Sequence, residues 1–65
     1  MKLQEIKDAV NNGKTVHWAN EGYKVKRWQG DHWVVVCTHN DHAVGLTRVD
    51  GITMTHNEAE FFIAP

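Results

Sequence analysis

Cys37, His39 and His42 fall within six residues of one another, with Asp41 between the two histidines. Thiolate and imidazole are good zinc donors, and a β-hairpin can bring three such side chains to one end of a sheet. Closed structural zinc sites use four ligands, and this spacing supplies no obvious fourth and matches no common finger or knuckle. The competing expectation makes Cys37 a small core residue and the histidines polar turn residues. Cys37 follows Val34-Val35-Val36, a run that points to burial and an inert thiol rather than an activated nucleophile. No serine occurs in the chain, so a serine nucleophile is excluded. Glu58 and Glu60 read as solvated carboxylates. A catalytic set is missing, and we expect a protein that is not an enzyme and carries no cofactor.

Lys24, Lys26 and Arg27, interleaved with Tyr23 and Trp28, form the local basic cluster. A positive sheet face with stacking aromatics is one way to hold single-stranded nucleic acid, although phosphate attraction usually needs a larger basic footprint. Alternating lysines also solvate one face of a strand and guard its edge against pairing. Trp18, Trp28 and Trp33 are more aromatic surface than one small core takes up. Pleat alternation puts Trp28 on the Lys24 and Lys26 face, opposite Tyr23 and Val25, where an exposed aromatic serves as an interface anchor. Tyr23, Lys24, Lys26, Arg27 and Trp28 are therefore the expected partner-binding residues. Protonating His17, His32, His39, His42 and His56 together would move the formal charge from −1 towards +4. Nothing couples them to a bistable element, and they read as ordinary polar positions.

The elements that must position these residues follow from periodicity. Leu3, Ile6 and Val10 recur at helical spacing with Ala9 beside them, and Asn11-Asn12-Gly13 ends the run, so a helix is expected over about 2–12. From Lys14 the period is two, and strands are expected from about 14 to 54. Turns are expected at Asn20-Glu21-Gly22, Gln29-Gly30-Asp31, His39-Asn40-Asp41-His42 and Asp50-Gly51. His32–Thr38 is apolar on both faces and is placed inside the sheet; Ala43–Thr47 is the fourth strand. Asn57 caps one helical turn before Phe61–Ile63, giving a short C-terminal element over 57–64. The fold class is α+β: one N-terminal helix packed on a bent antiparallel sheet of four or five strands, as a single domain. The expected core is Leu3, Ile6, Val10, Val16, Trp18, Val25, Val35, Leu46 and Phe61.

Composition narrows the functional class. Sixty-five residues, 42% apolar and 23% charged with a net charge of −1, exclude disorder and a strongly basic or acidic binder. A mean hydropathy of −0.50 argues against a membrane span. A single cysteine and an N-terminus without an apolar signal segment fit the cytoplasm. An exposed edge strand beside Trp28 or Phe62 would make a two-fold homodimer easy to form.

The segments Leu3-Gln4-Glu5-Ile6-Lys7, Gly13-Lys14-Thr15-Val16-His17-Trp18, Gly22-Tyr23-Lys24-Val25, Gly45-Leu46-Thr47, Asp50-Gly51-Ile52-Thr53 and Phe61-Phe62-Ile63 together carry a resemblance over nearly the whole chain. The pattern resembles small proteins borne on bacterial phages, plasmids and integrated elements, similar in size and style to anti-CRISPR proteins. The resemblance implies stoichiometric inhibition of a host defence complex, such as a Cas effector, by protein contact. It assigns no functional residue. The scattered carboxylates depart from the DNA-mimic type, so shape-matched contact is the implied route.

Overall fold

The stripe of Leu3, Ile6 and Val10 folds as α1 (Leu3–Asn11), which buries Ile6 and Ala9. Its first turn is tied by the Lys2 N–H, which donates to Glu5 Oε1 at 2.9 Å, and Glu5 also suits the positive end of the helix dipole. Gly13, at φ 79°, turns the chain out of the helix, and the Lys14 N–H returns to the Ala9 carbonyl at 2.9 Å. Glycine takes that left-handed conformation without a Cβ clash.

The computed structural model describes residues 1–30 and 32–65. The strands are β1 (Val16–Trp18), β2 (Asn20–Arg27), β3 (Trp33–Cys37), β4 (Ala43–Gly45) and β5 (Phe61–Ile63). They form one five-stranded antiparallel sheet in the order β4-β3-β2-β1-β5, and α1 packs chiefly against β1 and β2. The fold is α+β, as periodicity indicated. A single 3-10 turn, Glu58–Glu60, precedes β5, with Asn57 Oδ1 accepting from the Ala59 N–H at 3.0 Å.

Three local expectations are revised. The first reversal comes at Ala19, in the left-handed region at φ 64°, so Asn20-Glu21-Gly22 belongs to β2 rather than to a turn. A bulge absorbs the offset: His17 faces Lys24 while Trp18 faces Asn20. The fourth strand stops at Gly45, and Thr47 pairs instead with Met54 as an isolated bridge. Between them the Asp50-Gly51 loop is fastened by the Asp50 carboxylate. It accepts from the backbone N–H groups of Ile52 and Thr53, both at 2.9 Å, and from the Thr53 hydroxyl at 2.6 Å. Those donors, the Thr53 hydroxyl foremost, lower the Asp50 pKa to about 2. Third, the expected core omitted its largest member. Trp33 is only 7% exposed and packs with Ile6, Ala9, Val16, Val25, Val35, Leu46 and Phe61, whereas Leu3, Val10 and Trp18 are half-buried against that cluster. In a run that is apolar on both faces, composition alone does not say which face Trp33 occupies; its pairing with Arg27 does. Of the expected turn at Gln29-Gly30-Asp31, Gly30 has φ 57° and Asp31 lies outside the described residues.

Candidate binding surfaces

Strand register assigns each candidate side chain to a face. Val25 pairs with Val35 beneath α1, so their neighbours Lys24 and Lys26, paired with Val36 and Val34, lie on the opposite face. The Trp28 N–H donates to the His32 carbonyl at 2.6 Å, carrying the ladder one step past the Arg27–Trp33 pair. Alternation therefore puts Trp28 in line with Lys24 and Lys26, and the indole is 61% exposed. One cross-strand row, Phe62-His17-Lys24-Val36-Ala43, spans this face from β5 to β4. His17, assigned to the polar positions by its sequence context, is buried: Nδ1 lies 2.9 Å from the Tyr23 carbonyl, and the ring centroid is 5.4 Å from that of Phe62.

Tyr23 and Arg27 alternate to the α1 face. Tyr23 is half-buried and meets Trp18 edge-on, with ring centroids 4.8 Å apart. Arg27 holds its guanidinium 5.8 Å from the Trp33 ring centroid, and its Nε donates to the Gly30 carbonyl at 2.7 Å. The structure thus groups Lys24, Lys26 and Trp28 on one face and separates Tyr23 and Arg27 from them.

The zinc candidates also separate. His39 stands over Gly22, where an added Cβ would come within 3.4 Å of its Nε2. Cys37 and His42 instead line a cavity. No group of three histidine, cysteine or acidic residues able to hold a metal ion occurs among the described residues. Cys37, the last residue of β3, is half-buried rather than enclosed.

That cavity, about 260 Å³, opens on the α1 face toward β3 and β4. Two cross-strand pairs, Tyr23–Cys37 and Val35–Val44, supply its sheet surface. Trp18 and His56 add stacked rings, 4.1 Å apart at 23°, while Asn40 and His42 contribute polar groups. No sequence motif announces it, since its residues come from β1, β2, β3, β4 and two loops. At the expected Asp50-Gly51 turn, the flanking Val49 is fully exposed and Ile52 is 77% exposed.

Among the described residues, no helix is long and apolar enough to cross a membrane. Comparison with protein-family models, with curated proteins and with solved structures finds no match.

Proposed function

We propose that this chain is a non-enzymatic binding protein that acts by stoichiometric contact with another protein through the sheet face turned away from α1. The observation that carries this reading is Trp28, an aromatic 61% exposed on the face that also bears Lys24 and Lys26. A central aromatic that a partner desolvates, with charged side chains left at a wet rim, is the usual anatomy of a specific interface. A typical contact needs about 800 Å² per partner, roughly a fifth of this chain's 4488 Å² surface. The partner we propose, on the resemblance to anti-CRISPR proteins, is a bacterial host defence complex of the Cas effector type, met in the cytoplasm.

Co-purification with Cas effector complexes, beside an interference assay, tests this. Retention of the chain together with loss of interference is expected. Failure to bind or inhibit any effector overturns the anti-CRISPR reading. The competing reading, a nucleic-acid-binding regulator, has a small basic footprint, because Arg27 lies on the other face, engaged with Gly30 and Trp33. It requires salt-sensitive probe binding that disappears when Lys24 and Lys26 are both reversed to glutamate, a result that would displace the protein-contact reading.

A further inference from the structure

The two edges of the sheet, β4 and β5, are finished differently. The Cys37 N–H donates to the His42 carbonyl and the Leu46 N–H to the Trp33 carbonyl, so the main-chain groups of Ala43 and Gly45 face outward from β4. There the chain covers its own edge, because the Thr55 hydroxyl donates to the Gly45 carbonyl at 2.6 Å. At the other edge the Ala19 N–H donates to the Glu60 carbonyl at 2.9 Å and the Ala64 N–H to the Thr15 carbonyl at 2.8 Å. In the β1–β5 register these bonds make His17 and Phe62 a hydrogen-bonded pair and turn the main-chain groups of Phe61 and Ile63 away from β1. The Phe61 N–H returns to the Glu58 carbonyl, so the Phe61 carbonyl and both groups of Ile63 line the open side. No charge or proline guards this strand, and Phe62 is 38% and Ile63 42% exposed.

We propose that β5 pairs antiparallel with β5 of a second copy of this chain, on a two-fold axis through Phe62. An open main-chain edge selects an extended strand, and the register selects this one. About that axis each Ile63 N–H donates to the Phe61 carbonyl opposite, so the same donor and acceptor are matched twice. Phe62 meets its own counterpart in the non-hydrogen-bonded position, where Cα atoms lie about 4.5 Å apart and aromatic pairs stabilise a sheet. On the α1 face, Ile63 lies across from Phe61, so both faces of the new pairing are apolar. Glu60 falls opposite Ala64 rather than a second carboxylate, and a net charge of −1 per chain sets little repulsion between copies. Three residues a side bury far less than the roughly 800 Å² per partner of a stable complex, so the dimer is weak, with a Kd on the order of 0.1–1 mM.

β1 separates β5 from the strand that leads to Trp28, so this pairing stands apart from the proposed partner contact and is read with no other protein present. The test is sedimentation equilibrium of the full chain from about 20 µM to about 2 mM, a range that brackets the expected Kd. The average mass should rise from 7.4 kDa toward twice that value. Phe62→Lys, at an exposed position, sets like charges across the axis and should weaken association at least about tenfold while the melting temperature of the dilute chain holds. Amide exchange at Ile63 should slow as the concentration rises, a readout of the main-chain pairing that needs no variant. Trp28→Ala should leave association unchanged. A monomer mass throughout, undiminished association of a folded Phe62→Lys variant, Ile63 exchange that ignores concentration, or dissociation by Trp28→Ala overturns the proposal.

Discussion

Replacing Trp33 tests the packing account most sharply, because register puts this indole inside the core and Trp28 outside it. Trp33 is 7% exposed, and an aromatic of its kind buries on the order of 200 Å². At roughly 25 cal/mol per Å², the surface lost on truncation to alanine corresponds to about 3–4 kcal/mol, and an unfilled cavity brings the cost to about 3–5 kcal/mol. Lys7 Nζ at 5.9 Å and the Arg27 guanidinium at 5.8 Å from the ring centroid would lose their aromatic partner as well. A domain of 65 residues has a total stability of roughly 3–10 kcal/mol, so Trp33→Ala should remove about a third or more of it and, toward the lower end of that range, unfold the chain. Trp33→Phe keeps a ring and should cost about 1–2 kcal/mol, which lowers Tm by roughly 4–16 °C in a domain of this size. Trp28→Ala should change stability by no more than about 0.5 kcal/mol, as expected for an exposed position. Circular dichroism melts and urea titrations of the variants measure all three. If Trp28→Ala lowers Tm as much as Trp33→Phe does, the β2–β3 register is off by one and the faces are exchanged.

Other consequences concern the turns. The Asp50 carboxyl titrates at about 2 in the folded chain, against an ordinary value of 3.8. Its ionised form therefore favours the folded state above pH 3.8, and that contribution fades as the pH falls toward 2. A carbon-detected titration giving an Asp50 midpoint at or above 3.8 would contradict the hydrogen-bonded turn. Ala19 holds φ 64°, a conformation costly to any residue with a Cβ, so Ala19→Gly should raise stability by up to about 1 kcal/mol after the larger unfolded-state entropy of glycine is subtracted. Gly13→Ala should do the reverse, costing about 1 kcal/mol through φ alone, because an added Cβ meets nothing within 4 Å. A denaturant midpoint that moves in the opposite direction for either variant would refute the corresponding backbone argument.

Local signals were enough for much of the architecture. The three- and four-residue spacing of Leu3, Ile6 and Val10, with Gly13 behind it, marks α1 almost to the residue, and period-two alternation marks the strands. Where the reading failed, the deciding interaction was distant or the residue type was uninformative. Ala19 makes the reversal yet carries no turn signature, while Asn20 and Gly22 carry one and lie in a strand. Trp33 sits in a run apolar on both sides, so only its pairing with Arg27 fixes its side. The Lys24, Lys26 and Trp28 face was legible from alternation alone. Alternation also puts Tyr23 on the other face, and the pairing of Arg27 with Trp33 puts Arg27 there as well, although both stand among the expected partner-binding residues. The cavity was not legible, because Trp18, Val44 and His56 meet only through tertiary packing.

The affinity of the Trp28→Ala variant for a captured protein partner, measured beside the unchanged chain by titration calorimetry, bears most directly on the proposed binding face. The account predicts a melting temperature close to that of the parent and binding weakened by about 2 kcal/mol or more, roughly thirtyfold in Kd. Binding within about twofold of the parent, a difference of about 0.4 kcal/mol, would place the contact elsewhere on the molecule.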